Sequence, residues 1–259
     1  MKINVLSDLH LEQSSPSFEC KTPNESCDAL VLAGDIGDPS SPEYAAFLGS
    51  ASVAYPRVFV VCGNHECWGK TVDETLAAIS AVCATFPNVV HLHRGQVIDL
   101  DEDDVRIIGA TLWSDVSDEQ RSDVGTFIAD HRCIKQWGVE ENNRTHRADA
   151  AFIQAEMEHA VRDGKHLVVV THHAPSFVHT CKPEHAHSVL SSAFCTDLRH
   201  LLRDPVVGWI FGHTHHSSMV RFGGTGGTVL VSNQRGYHGE TTGFRETCIV
   251  NISSPDTVA

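Results

Sequence analysis

The feature that most constrains the fold of this chain is a series of short, almost wholly apolar runs. Continuous apolar character is typical of strands that are buried on both faces. The runs cover residues 3–6, 29–33, 58–62, 105–109, 167–171, 206–211 and 229–231. Helical patterns separate them at residues 43–53, 72–83, about 145–163, and 195–202. Strands that alternate with helices in this way predict an α/β fold.

Two further stretches refine this prediction. Residues 97–100 and 105–108 are joined by the acidic turn 101–104 and predict a β-hairpin, so the sheets should be mixed rather than purely parallel. The length of 259 residues suits one globular domain, 1–259. Within it, residues 115–144 are polar and irregular, and we expect them to form an inserted cap.

Composition limits the cellular context and the partners. The charged residues give a net charge of −14, which disfavours nucleic acid as the main partner because binding to nucleic acid depends on Lys and Arg. The nine cysteines are scattered without a Cys-x-x-Cys pair, as expected for reduced thiols. No apolar stretch predicts a membrane span, and the first motif follows Leu6 directly, without room for a signal peptide. We therefore expect a cytoplasmic protein, whose oligomeric state the sequence leaves open.

Five polar clusters rich in Asp, His and Asn each follow one of the apolar runs directly. They are Asp8-Leu9-His10, Gly34-Asp35-Ile36-Gly37-Asp38, Gly63-Asn64-His65-Glu66, His172-His173 and Gly212-His213-Thr214-His215. Because the carboxyl ends of strands form the ligand crevices of α/β sheets, we expect the clusters to converge. Imidazole and carboxylate together suit manganese, iron or zinc, and also allow nickel or cobalt. Seven candidate ligands exceed one tetrahedral zinc and suit two ions that share a carboxylate.

As an ordered set, Asp8-x-His10, Gly34-Asp35-x-x-Asp38, Gly63-Asn64-His65-Glu66, His172 and Gly212-His213-x-His215 resemble the motifs of the calcineurin-like metallophosphoesterase superfamily. The resemblance implies a four-layer fold, in which two mixed β-sheets pack as a sandwich flanked by helices. It also implies that Asp35 bridges two metal ions. By the same resemblance, one ion would be held by Asp8, His10, Asp35 and His215, and the other by Asp35, Asn64, His172 and His213.

The family also implies an activity. A metal-bridging hydroxide would attack a phosphomonoester or a phosphodiester, and the partner of the protein would be a small phosphorylated substrate. The histidine that matches His65 faces the substrate in the family, where it stabilises the transition state or protonates the leaving group. The carboxylate that matches Asp38 orients that histidine. An imidazole with a pKa near neutrality is suited to this role.

Several alternatives remain open from the sequence. The fold also serves as a non-catalytic interaction scaffold, and residues 6–11 resemble nucleotide-sugar pyrophosphatases of the lipid A pathway, which tend to carry Arg where His65 stands. A nuclease is disfavoured by the acidic balance. Of the doublet at 172 and 173, we assign the ligand to His172 because it follows the strand directly. The histidines at 179, 185 and 187 are expected in a solvated loop, with their role left open.

Overall fold

Eleven strands in two sheets form the centre of the fold in the computed structural model, which describes residues 1–13, 18–22, 26–224 and 226–252. In chain order the strands are β1 Lys2–Leu6, β2 Ala29–Ala33, β3 Val58–Val61, β4 Val89–His91, β5 Val97–Leu100, β6 Val105–Ala110, β7 His166–Thr171, β8 Val206–Ile210, β9 Ser218–Arg221, β10 Val229–Ser232 and β11 Ile249–Asn251.

Five α-helices cover the sheets in the described ranges: α1 Pro42–Ala54, α2 Val72–Cys83, α3 Arg121–Phe127, α4 Asp130–Cys133 and α5 Val139–Asp163. The start of α2 is fixed by a capping box between Thr71 and Glu74, in which each side chain accepts from the other residue's backbone N–H. Among the described residues, no helix combines the length and the apolar character that crossing a membrane requires.

Both sheets are mixed, as predicted. The first has the order β11-β1-β2-β3-β4, in which β1 to β4 are parallel and β11 is antiparallel. The second has the order β5-β6-β7-β8-β10-β9, with four parallel inner strands and antiparallel outer strands. The predicted hairpin is confirmed, since β5 and β6 pair antiparallel from Val97 opposite Ile108 to Leu100 opposite Val105.

Alternate residues of each strand enter different layers of the core, because successive side chains point to opposite faces. Val31 of β2 and Val168 of β7 belong to one cluster, which fills the space between the two sheets. Leu32 packs instead with residues of α1 and α2, and Val169 packs with residues of α5. The predicted four-layer sandwich of two sheets flanked by helices is therefore confirmed.

The sequence analysis missed three short strands and predicted one helix that is absent. The sequence analysis missed β4, β9 and β11, which have three or four residues each and lie at the edges of their sheets. The helix predicted at 195–202 is absent apart from a single 3₁₀ turn at Arg199–Leu201. The N–H groups of Thr196 and Leu198 donate to the carbonyls of Ala174 and Pro175, so that this backbone is committed to a neighbouring segment.

The segment 115–144 is less irregular than expected, because it contains α3, α4 and the first turn of α5. Helix α5 begins about six residues earlier than predicted. Its first two turns contain Asn142 and Asn143, whose side-chain amides donate to the backbone carbonyls of Ser114 and Val116. The role of this segment as a cap stays a prediction.

Candidate metal centre

Five loops at the carboxyl ends of strands meet at one edge of the sandwich. The first sheet contributes Asp8 and His10 after β1, Asp35 after β2, and Asn64 and His65 after β3. The second sheet contributes His172 after β7 and the pair His213 and His215 after β8. All seven candidate ligands from the sequence are thus brought together, and three groups of side chains are close enough to hold a metal ion: Asp8–His10–His215, His10–Asp35–His65 and Asp35–His172–His213.

Five of the candidate ligands have left-handed backbone conformations, with φ between 47° and 72°: Asp8, His10, Asp35, His213 and His215. Such conformations are costly for residues other than glycine and persist only when their surroundings hold them in place. Hydrogen bonds supply that support, because Asp8 N–H donates to the Gly34 carbonyl, and His213 N–H donates to the Asp8 carboxylate. The loops therefore hold one another in position.

Asp35 lies between two groups of ligand atoms. Its Oδ2 lies 3.9 Å from His10 Nε2, and His10 Nε2 lies 3.3 Å from His215 Nε2. The other oxygen, Oδ1, lies 3.4 Å from His172 Nε2, which in turn is 2.9 Å from Asn64 Oδ1. One carboxylate thus presents one oxygen to each group, as a bridging ligand would.

Hydrogen bonds at the outer side of the imidazoles fix which nitrogen faces the centre. His10 Nδ1 lies 3.1 Å from Glu12, His215 Nδ1 lies 2.5 Å from Glu240, and His172 Nδ1 lies 2.8 Å from the Ala33 carbonyl. Because these partners only accept, each Nδ1 carries the hydrogen, and in the neutral ring Nε2 presents its lone pair inward. This outer hydrogen bond is typical of histidines that bind metal.

The donor atoms fit metal ions. Asn64 donates its amide to Asp130 Oδ1, so its carbonyl oxygen faces His172 Nε2. The Nε2 lone pairs of His10 and His215 also face each other. Each of these two pairs of acceptor atoms requires a positive charge between its members, either a proton or a metal ion. The carboxylates of Asp8 and Asp35 lie nearby and are buried. Imidazole, carboxylate and amide oxygen are ligands that transition metals accept.

The charge distribution explains how the side chains titrate. Burial alone would lower the pKa of His172, but the charge of Asp35 outweighs burial and raises that pKa to about 10. Burial is outweighed in the same way at His215, where Asp8 raises the pKa to about 9. Burial and the neighbouring His172 lower the pKa of His213 to about 3, which keeps it neutral. The carboxylates attract positive charge to this centre.

Glu66 joins two of the loops without facing the ligand groups. Its carboxylate accepts three backbone N–H groups, from Asp35, Ile36 and Gly63. Burial and the charge of Asp35 raise the pKa of Glu66 to about 8, while the three donors favour the ionised form. Glu66 therefore ties the loop after β2 to the loop after β3.

His65 lies beside the two ligand groups. Its ring stacks on Trp68 at 3.8 Å between centroids, and its Nε2 lies 2.8 Å from Tyr237 Oη and 4.0 Å from Asp35 Oδ2. The carboxylate of Glu12 lies 3.5 Å from Nδ1. This geometry suits a side chain that faces a substrate, and it would also allow His65 to approach an ion beside His10 and Asp35.

Asp38 does not take the position expected for it. Its carboxylate accepts from Lys70 at 2.8 Å and from the Ser40 N–H, and no ion pair joins it to His65 in the described part of the chain. The carboxylate next to His65 is that of Glu12. Asp38 is turned toward Lys70 in this structure, and its role in orienting His65 stays a prediction.

Four further histidines near the motifs lie outside the candidate ligand groups. His173 Nδ1 lies 2.7 Å from Ser114 Oγ and its ring stacks on His213 at 4.0 Å, so His172 is the member of the doublet that faces Asn64 and Asp35. The histidines at 179, 185 and 187 are exposed and form no group that could hold a metal among the residues described. His185 nevertheless lines the cavity next to the centre.

Four residues around the centre were missed by the sequence analysis: Glu12, Asp130, Tyr237 and Glu240. Glu12 continues the alternation of Asp8 and His10, and this spacing could have identified it. The other three lie far along the chain from the residues that they contact. Tyr237 and Glu240 follow β10, in a loop where the Tyr237 N–H also donates to Glu240. Only tertiary structure brings them to His65 and His215.

Comparisons with known proteins agree with this geometry. Residues 1–217 match the family model described as calcineurin-like phosphoesterase. An uncharacterised protein of Acanthamoeba polyphaga mimivirus is 29% identical over 280 residues, which cover 96% of each chain. The solved phosphopantetheinyl hydrolase of Mycobacterium tuberculosis is similar in fold, with a TM-score of 0.70, 17% identity, and 96% and 95% of the two chains covered. A dimetal phosphatase of Danio rerio has a TM-score of 0.53 and 13% identity, with 90% and 87% covered.

Proposed function

This chain belongs to the calcineurin-like phosphoesterase family, and from that premise we propose that it hydrolyses a phosphomonoester or phosphodiester at a dinuclear metal centre. That the chain is a metal-dependent phosphoesterase follows from the family and from groups of Asp and His that are close enough to hold metal.

One observation carries the proposal of two ions. Two separate pairs of acceptor atoms face each other, His10 Nε2 with His215 Nε2 and His172 Nε2 with Asn64 Oδ1, at 3.3 and 2.9 Å. Asp35 presents a different oxygen to each pair. We assign one ion to Asp8, His10, Asp35 and His215, and the other to Asp35, Asn64, His172 and His213. When bound, two such ions would supply Lewis acidity toward phosphoryl oxygens and an activated water.

Other residues orient the metal ligands, and one is placed to donate a proton. Glu12, Glu240 and the Ala33 carbonyl orient the imidazoles through their outer nitrogens, and Asp130 orients the Asn64 amide. His65, placed between Trp68 and the ligand groups, is the candidate that donates a proton to the leaving oxygen. Burial lowers its pKa, but Asp35 and Glu12 outweigh burial and raise it, which favours the protonated ring that an acid requires.

Metal content and hydrolysis test the proposal together. The purified protein is loaded with manganese, its metal is quantified by mass spectrometry, and p-nitrophenyl phosphate and bis-p-nitrophenyl phosphate are assayed. We expect about two ions per chain and hydrolysis of at least one ester. In Asn64→Ala we expect the loss of about one ion and a rate at least 100-fold lower. In His65→Ala we expect a similarly reduced rate, with metal retained.

The variant His187→Ala is the matched control, because this histidine is exposed and lies outside the candidate centre. It should retain both metal and rate. Two bound ions without hydrolysis of either ester would favour the interaction scaffold over the enzyme. An Asn64→Ala variant with unchanged metal content and rate would contradict the ligand assignment.

A further inference from the structure

A cavity of about 540 Å³ opens directly from the metal centre. Asp35, Asn64, His213 and His215 line one end of it. Beyond them, the wall is mostly apolar and comes from distant parts of the chain, with Trp68, Ile128, Phe177, Leu190, Phe194 and Tyr237. Cavities of roughly 300–1,000 Å³ hold organic ligands of moderate size, so inorganic phosphate or a methyl ester would fill little of this one.

The charged groups of this wall are few and mostly paired. Asp130 accepts from Asn64 and Trp68, and Glu240 accepts from Tyr237 and lies against His215. Within the described ranges, Lys182 is the single Lys or Arg that lines the cavity. Such a wall offers little to a polyphosphate, whose charges need several cationic partners, and it suits an uncharged group.

Two separate segments bring apolar side chains to the cavity wall. Ile128 and Leu190 are partly buried wall residues that face the cavity from two separate segments. Their neighbours in sequence, Phe127 and Val189, are 64% and 63% exposed and are not among the residues that line the cavity. Burial of an apolar group between these segments would remove apolar surface from water, which is the main favourable contribution to binding of uncharged groups.

We propose that the substrate is a phosphoester whose organic group is uncharged and largely apolar, and that this group lies in the cavity while the phosphoryl group lies on the metal centre. This inference rests on the proposed function, since it takes the metal centre as the place of the phosphoryl group. It assigns specificity to Ile128 and Leu190, two residues that lie outside the five motifs. A nucleoside polyphosphate, and with it a nucleotide-sugar pyrophosphatase activity, is disfavoured.

Binding of non-hydrolysable phosphonates tests the inference without requiring hydrolysis. Dissociation constants for methylphosphonate, hexylphosphonate and a phosphonate with a diether chain of the same length are measured by calorimetry on the manganese-loaded protein. We expect hexylphosphonate to bind at least tenfold more tightly than methylphosphonate, since each fully buried methylene gives about fourfold. The diether, which is polar, should bind within threefold of methylphosphonate.

Variants test whether the cavity wall causes the preference for hexylphosphonate. Leu190→Asp and Ile128→Asp, from separate segments, should each reduce the preference for the hexyl chain over methylphosphonate to below threefold. Val189→Asp is the matched control and should retain the preference. Equal affinities for methyl- and hexylphosphonate, no binding of either, or a diether that binds as tightly as the hexyl chain would overturn the inference. Failure of the proposed function appears separately, as absence of ester hydrolysis.

Discussion

Among single residues, Asp35 organises the centre most directly. It is buried, it follows β2, and its two oxygens face two different groups of ligand atoms. Its backbone N–H is held by Glu66, and its Oδ1 also accepts the backbone N–H of His65. The side chain therefore has little freedom to turn. A carboxylate fixed in this way attracts positive charge at a defined place, whether the charge is a proton or a metal ion.

Proton release on metal binding follows from the pKa values of two ligands. The pKa of His172 is raised to about 10 and that of His215 to about 9, so both rings are protonated at pH 7 in the metal-free protein. A metal ion requires the neutral ring. Calorimetry with manganese at pH 7, repeated in buffers of different ionisation enthalpy, should therefore show release of at least two protons.

The sign of the pH dependence is fixed by the same values. Because the protonated rings compete with the metal, the apparent affinity for manganese should rise between pH 6 and pH 8 and level off as the pH passes through 9 to 10. His213, whose pKa is lowered to about 3, contributes no proton in this range. Release of no protons at pH 7, or affinity that falls with rising pH, would show that His172 and His215 are not ligands.

The residues that a sequence can identify are those whose motif follows a strand directly. Asp8, Asp35 and His213 could be placed in this way, because the run before each fixes its position at the strand end. Tyr237 and Glu240 could not be found, since nothing in their own segment indicates the histidines that they contact. Asp38 shows a further limit, since a motif gives the position of a carboxylate but not the direction in which its side chain turns.

At the scale of elements, the loops after β2 and β3 approach so closely that a side chain would not fit between them. A methyl group on Gly63 would lie 2.1 Å from Asp35 Oδ1 and 2.4 Å from the Asp35 nitrogen. These distances are far below van der Waals contact. Glycine at position 63 is therefore required by the approach of the second loop, and the position of Asp35 depends on it.

The variant Gly63→Ala should lose metal but keep its fold. The new methyl group would displace the Asp35 carboxylate, so we expect the loss of at least one of the two ions and a rate at least 100-fold lower. Metal analysis and circular dichroism provide the measurements. Gly138→Ala is the control, because a methyl group there meets open space and should change neither property. Full metal content in Gly63→Ala would contradict the close approach of the two loops.

Local signals predicted some elements well and others poorly. Helix α2 was predicted with its observed bounds, and the capping box that fixes its start is formed by residues close together in sequence, Thr71 and Glu74. The segment 195–202 has a similar apolar pattern, but two of its N–H groups donate to the carbonyls of Ala174 and Pro175. The Asp197 carboxylate also accepts the Arg199 N–H. Such contacts compete with a helix, and the pattern alone does not reveal them.

At the scale of the whole molecule, the centre lies where the two sheets meet. β1, β2 and β3 of one sheet and β7 and β8 of the other end at it, so the contact between the sheets sets the distances between ligands. The cluster between the sheets includes Val31, Val61 and Val170, all fully buried. Loss of packing in this layer should therefore weaken the entire molecule rather than one loop.

The variant Val170→Ala tests this layer. Removal of two methyl groups from a fully buried site between the sheets should lower the free energy of unfolding by about 2 kcal/mol. Urea denaturation of the metal-free protein measures the change. Val161→Ala on α5 is the control, because Val161 is 61% exposed and its replacement should change stability by less than about 0.5 kcal/mol. Equal effects of the two variants would contradict the packing described for the two sheets.

The family match ends at residue 217, yet the fold continues beyond it. Strand β10 lies between β8 and β9, β11 completes the edge of the other sheet, and Tyr237 and Glu240 contact His65 and His215. A chain shortened to the matched residues would keep every candidate ligand, but it would expose β8 along one side and remove the contacts of Tyr237 with His65 and of Glu240 with His215. The matched region is thus smaller than the folded unit, and a functional fragment of this protein cannot be chosen from its motifs.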